Sequence, residues 1–176
     1  RNQEKRAALK ILDVLFLYAF FGKPDFVPFV TARTIQLNLK YGNSDMSAAL
    51  FGSYGIVLCG VGQLEEGYKQ SRLALALFEK YGRKEWICRV YGAVYGMVSY
   101  WKEPVQCSMD PLMTAYEVGM KAGDIEYAMM ACFMYSICAS FCGMPLPELV
   151  RKMRGFLADM VAYKQHAVAV LMTPCL

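Results

Sequence analysis

Seven cysteines, one histidine and one Gly-Lys pair are the residues whose types and spacing invite a chemical reading of this chain. Cys138 and Cys142 stand four positions apart, which on a helix places both thiols on one face, as two ligands of a zinc ion would be. A structural zinc needs about four ligands, and the single histidine, His166, is distant in sequence, so the pair reads as buried structural thiols. The full set, Cys59, Cys88, Cys107, Cys132, Cys138, Cys142 and Cys175, is odd in number and contains no CxxC pair. Most of its members sit in apolar runs, where a free thiol behaves as a small hydrophobe. That usage predicts a reducing, intracellular compartment.

Nucleophilic and phosphoryl-transfer chemistry find no constellation either. Gly22-Lys23 precedes Pro24 and lacks the upstream glycine of a G-x-x-x-x-G-K-[ST] phosphate loop, so ATP binding is not expected. No GxSxG elbow, H-R-D loop or G-x-G-x-x-G turn is present. His166, in YKQHAVAV, has neither a partnered acid nor a metal set and reads as structural or solvent-facing. The expectation is a non-enzyme with no catalytic residue, no metal and no cofactor.

The elements that would have to position any such residue are better defined. At 176 residues the chain fits one domain or one quasi-linear repeat unit, and 56% of it is apolar against a usual value of about 45–50%. A net charge of +4, spread through the sequence, does not imply a nucleic-acid partner. The opening RNQEKRAALK lacks the ordered regions of a signal peptide, and with the abrupt MTPCL end it predicts a piece excised from a longer protein.

Apolar periodicity is helical almost throughout. In PELVRKMRGFLADMVAYK, Leu149, Val150, Met153, Phe156, Leu157, Met160 and Val161 form one stripe. In QLEEGYKQSRLALALFEKYG the stripe is Leu64, Gly67, Tyr68, Ser71, Ala74, Leu75 and Phe78. Gly- or Pro-bearing punctuation at FGKPD, YGNSD, GVGQ, YGRKE, WKEP, KAGD and CGMPLP divides the chain at intervals of about twenty residues. Eight helices result, roughly 4–21, 26–41, 45–60, 64–81, 85–101, 105–121, 125–142 and 147–163, joined by short connections that favour antiparallel neighbours.

The punctuation itself repeats. Lys40-Tyr41-Gly42, Lys80-Tyr81-Gly82 and Lys121-Ala122-Gly123 recur at intervals of 40 and 41, each followed three residues later by an acid: Asp45, Glu85 and Glu126. Tyr54-Gly55 corresponds to Tyr95-Gly96, and Ala74 to Ala115. This period predicts an all-α fold, an α-solenoid of antiparallel helix pairs with units of about 4–41, 42–81, 82–122 and 123–164 in a single domain over 1–176. The unit has the layout of a tetratricopeptide repeat stretched beyond the usual length of about 34 residues. Gly55 and Gly67 would be the small residues that let paired helices approach, and Gly62 the turn glycine. The third unit keeps Gly96, Ser108 and Ala115 but has Glu103 before Pro104 in place of the turn glycine, and the last has Ile137 at the position of the approach glycine.

Two uncharged runs, 46–64 and 127–147, are long enough to cross a bilayer, which takes about twenty residues. Both occupy the first-helix slot of repeats two periods apart, whereas the intervening first helix carries Arg89 and every second helix has a charged face. The sequence therefore predicts inner helices packed on several sides, not membrane spans; a multipass membrane protein is the weaker alternative.

The segment IQLNLKYGNSDMSAALFGSYGIVLCGVGQLEEGYKQSRLALALFEKYG, with YWKEP and AYEVGMKAGDIEYAMMACF, resembles the helical-repeat region of large hybrid signalling proteins, from about Thr31 to Gly143. In that family a serine/threonine-kinase-like domain is followed by an AAA/STAND-type ATPase, the repeat region, a GAF domain and a histidine kinase. The resemblance implies a cytoplasmic, non-catalytic protein-interaction and signal-relay segment between an ATPase switch and a sensor kinase. Its partners would be neighbouring domains of the parent chain or a peptide, with no nucleic acid and no membrane. Tyr54, Tyr91, Tyr95, Tyr100 and Trp101, on or near the first helices, are the candidate partner-binding groove, with core packing as the competing role. A small-ligand sensor with an apolar pocket between Met-rich and aromatic helices is the alternative function. Two basic clusters, Lys80-Arg83-Lys84-Arg89 and Arg151-Lys152-Arg154, read as solvated faces.

Overall fold

A computed structural model describes residues 2–42, 46–81 and 84–175, with only the backbone of residues 2, 3, 5 and 6. Asp45, Gly82 and Arg83, which carry part of the repeated punctuation and of one basic cluster, lie outside the described residues. Among the described residues every regular element is helical, and neighbouring helices pack on one another as in a helical-repeat protein. The chain divides into two compact units, Arg1–Arg83 and Lys84–Leu176, at the junction between the second and third expected repeats.

The first unit contains α1 (Asn2–Gly22), a 3₁₀ turn (Pro24–Phe26), α2 (Val27–Tyr41), α3 (Ser47–Gly60) and α4 (Leu64–Tyr81). Helices α1 and α2, α2 and α3, and α3 and α4 pack against each other. The α3–α4 hairpin is the tightest, because small residues face each other where the two helices meet. A Cβ built on Gly67 would lie 2.8 Å from the carbonyl oxygen of Gly55 and against Cys59 Sγ. The pairing of Gly55 with Gly67 is thus steric, and any side chain at 67 would hold the helices apart. Gly62 reverses the chain at φ +83°, a conformation that glycine adopts at no steric cost. Between α2 and α3, the buried Ser47 hydroxyl donates to Asn38 Oδ1 at 2.7 Å.

The second unit contains α5 (Ile87–Met97), α6 (Met109–Ala122), α7 (Ile125–Phe141), α8 (Leu146–Ala162) and α9 (His166–Met172), with 3₁₀ turns at Lys84–Trp86, Ser99–Trp101, Val105–Ser108 and Thr173–Cys175. Gly119, near the end of α6, is in close approach to Cys88 and Ala128, near the starts of α5 and α7. Helices α5 and α7 therefore run the same way, with α6 antiparallel to both, the arrangement of first helices in successive repeats. Gly123 caps α6 in the left-handed region at φ +81°, its N–H bonding back to the Gly119 carbonyl.

The expected boundaries hold to within a few residues except in three places. The span 85–101 is a helix only over Ile87–Met97, flanked by two 3₁₀ turns; Gly92 and Gly96 weaken its propensity. The span 105–121 opens as a 3₁₀ turn because Pro111 has no N–H for an α-helical bond and is tolerated only in the first turn, where it stands in α6. Residues 166–172, for which the periodicity predicts no element, form α9, which packs on α7 and α8.

The two uncharged runs become α3 and α7, of 14 and 17 residues. No helix among the described residues is long and apolar enough to cross a membrane. Apart from Glu126 in the first turn of α7, neither carries a charge, and each lies among neighbours: α3 between α2 and α4, and α7 among α5, α6, α8 and α9.

All seven cysteines are free thiols. Cys59, Cys88, Cys132 and Cys138 are buried, Cys142 is half-buried, and Cys107 and Cys175 are exposed. Burial pushes the four buried thiols above their ordinary range, Cys88 to about 12. Because the folded values exceed the unfolded ones, the stabilisation is complete below the unfolded pKa of about 8.5 and is lost as pH rises toward the folded values. In reducing buffer, the unfolding free energy from urea titration should be flat to about pH 8.5 and fall steadily above it, by up to about 1.4 kcal/mol per pH unit for each fully buried thiol, and the midpoint with it. A midpoint unchanged between pH 9 and 11 would contradict this burial pattern.

Candidate interaction surfaces

The five aromatics of the expected groove divide between the units. Tyr54 is half-buried on α3 in the first unit. In the second, Tyr91 and Tyr95 stand one turn apart on α5 and meet edge to face with centroids 5.2 Å apart. Tyr100 and Trp101 follow in the adjoining 3₁₀ turn, tilted against each other at 5.5 Å and open to solvent. The structure thus brings these four together as two pairs, of which the Tyr100–Trp101 pair offers exposed aromatic surface.

Arg89 has a different role from the solvated one its charge cluster suggested. It projects from the first turn of α5 to Asp124, the residue preceding α7, with Nε 2.9 Å from Oδ2 and Nη2 3.1 Å from Oδ1. Its guanidinium also lies over the rings of Tyr127, at 4.3 Å, and Trp86, at 5.0 Å. Asp124 occupies the position of an N-cap, yet its carboxylate makes no capping bond. Arg89 takes it instead, so the start of one repeat's first helix is fastened to the start of the next. The other basic residues divide: Arg151 and Arg154 are exposed, whereas Lys152 Nζ turns inward to the Tyr135 hydroxyl at 3.1 Å. Lys80 lies over the Tyr81 ring at 5.1 Å, and Lys40 over Tyr41 at 5.4 Å. The repeated Lys-Tyr punctuation therefore performs the same cation–π contact at the ends of α2 and α4.

Helices α6 and α8 are joined through Tyr116, whose hydroxyl donates to Asp159 Oδ2 at 2.6 Å and whose ring meets Phe156 edge to face at 5.1 Å. Burial first, and then this bond to a carboxylate, hold the phenol protonated above its usual range. His166 is exposed at the start of α9. Among the described residues no group of three or more His, Cys, Asp or Glu side chains could hold a metal ion.

The largest feature that sequence reasoning missed is on α1. Ala7, Ile11, Val14, Tyr18 and Phe21 are all exposed, at spacings of 4, 3, 4 and 3, with Leu15 beside them. That is the spacing of a coiled-coil seam, and it lies on the side of α1 away from the buried Leu9, Asp13 and Leu17. The stretch VLFLYAFFG, residues 14–22, has no charge, the same signal that marked α3 and α7, but here one face stays open. Phe26 and Phe29, just beyond the turn, are also exposed, at 57% and 73%.

No protein-family model, curated protein or solved structure matches the chain.

Proposed function

We propose that this chain is a non-catalytic interaction and signal-relay scaffold, and that the open face of α1 is where a partner helix seats. The observation that carries the reading is the Ile11–Val14–Tyr18–Phe21 seam. Soluble monomers rarely leave contiguous apolar patches of more than a few hundred Å² in water, and larger ones mark interaction sites. A seam of this spacing accepts the apolar stripe of an amphipathic helix. The Tyr100–Trp101 pair is a second, smaller contact surface of the kind enriched at interfaces.

The resemblance to the repeat region of hybrid signalling proteins supplies the context: a cytoplasmic segment between an ATPase switch and a sensor kinase, with neighbouring domains of the same polypeptide as partners. A docked domain would bias the packing of the adjacent repeats only so far as it binds one arrangement better than another.

The test is calorimetric titration of the chain with the separately purified flanking domains of its parent polypeptide. Saturable binding is expected, weakened at least tenfold by the double substitution Ile11→Lys and Tyr18→Lys, with helical circular dichroism unchanged. Binding indifferent to both substitutions would remove α1 from the proposal. ATP hydrolysis that survives repurification of the chain would overturn the non-catalytic reading.

A further inference from the structure

Helices α7, α8 and α9 and the turn after α9 enclose a half-open cleft of about 160 Å³. Its walls are Phe133 and Ile137 of α7, Leu149 and Met153 of α8, and Met172 of α9. Met153 and Met172 are almost completely withdrawn from water and form its floor. Among the described residues no charged side chain lines it. Of the two serines in its wall, Ser136 already donates to the Cys132 carbonyl at 2.8 Å and asks nothing of a guest. At the rim stand Ser140 and Phe141, the latter 80% exposed.

From this geometry we propose that the cleft is a binding site for a small neutral aromatic molecule of one ring. Size selects the guest: an apolar cavity of about 150 Å³ lined by comparable side chains accommodates benzene. Charge selects it too, because an ionised or strongly hydrogen-bonding ligand would be desolvated here without a compensating partner. The floor favours a ring over an aliphatic chain, since methionine is flexible enough to conform to a planar guest and its sulfur contacts aromatic edges favourably. A single ring held mainly by dispersion in a half-open site binds at about 1 mM. The proposal is independent of the scaffold reading, and the failure of either leaves the other standing.

The test uses the intact chain with 13C-methyl methionine and fluorobenzene as the probe. Of the twelve methionines, the ten other than Met153 and Met172 give internal controls. The Met153 and Met172 methyl resonances, assigned through Met153→Leu and Met172→Leu, should shift and saturate while the remaining methionines hold still. Ser140→Trp, a substitution at an exposed rim position, should weaken the response at least tenfold without altering the helical spectrum. Three outcomes would overturn the proposal: no movement up to the solubility limit of the probe, equal movement of methionines elsewhere, or an undiminished response in the Ser140→Trp chain. A fourth is concentration-dependent change at Met153 and Met172 without any probe, which would assign the cleft to a second copy of the chain.

Discussion

Gly67→Ala should destabilise the first unit by about 1–2 kcal/mol net, lowering its melting temperature by roughly 4–16 °C. Two effects oppose each other. Alanine gains up to about 1 kcal/mol of helix propensity over glycine in the interior of α4. Against this, the added methyl would stand 2.8 Å from the Gly55 carbonyl oxygen and 3.1 Å from the Cys59 amide nitrogen. Those are main-chain atoms of α3, so relief requires one whole helix to move away from the other, and overpacking of this kind costs about 1–3 kcal/mol or more. Sterics win. Gly155→Ala is the control, because a Cβ there meets nothing within 4 Å in the middle of α8, and it should gain up to about 1 kcal/mol. Thermal melts of the two variants should move in opposite directions; a neutral or stabilising Gly67→Ala would mean that α3 and α4 do not approach so closely.

Arg89→Ala should cost about 2–3 kcal/mol, near the lower edge of the loss expected when one partner of a buried ion pair is removed. The side chains of Arg89 and Asp124 are 21% and 16% exposed, so water screens the pair only partly. Without Arg89 the Asp124 carboxylate would keep one compensation, the positive end of the α7 dipole, worth a fraction of a kcal/mol to about 1. Two aromatic faces would lose their cation as well. Lysine should not rescue the site, since an ammonium cannot engage both carboxylate oxygens in the bidentate plane and stack on Tyr127 at once. A double-mutant cycle with Asp124→Ala isolates the pair and should return a coupling above about 1 kcal/mol. Strict additivity would show that the contact contributes nothing to holding α5 against α7.

How far the sequence speaks for itself differs between fold and surface. Turn glycines were legible because backbone sterics admit few substitutes: Gly62, Gly123 and Gly143, each placed at a helix end by the punctuation, all adopt positive φ. The approach of Gly55 to Gly67 was legible for the same reason. Stripes were less exact. On α4 Gly67, Ser71 and Ala74 of the expected stripe are buried, but beyond them the buried residue is Leu77, not its neighbours Leu75 and Phe78, which are half-buried, and on α8 Val161 points to water at 60% exposure. An i, i+3/i+4 pattern defines a face about 100° wide, and only the neighbouring helix decides which edge of it is covered. The Arg89–Asp124 bond joins residues 35 positions apart and leaves no periodic trace. Local composition made Arg89 look like one of a cluster of solvated cations. The α1 seam leaves no such signal: residues 14–22 lack charge on every face, and hydrophobicity alone cannot count how many neighbours surround a helix.

The apolar α3, and α7 beyond Glu126 of its first turn, have a consequence for synthesis. Neither can be wetted safely on any side, and α3 is covered on one flank only after the 18 residues of α4 have followed it. At about 5–20 residues per second of translation, that leaves α3 uncovered for roughly 1–4 s on each nascent chain, long enough for a chaperone or another nascent chain to reach it. Order of emergence from the ribosome thus matters for this sequence, and a synonymous pause placed between Gly60 and Leu64 would lengthen the interval in which it can aggregate.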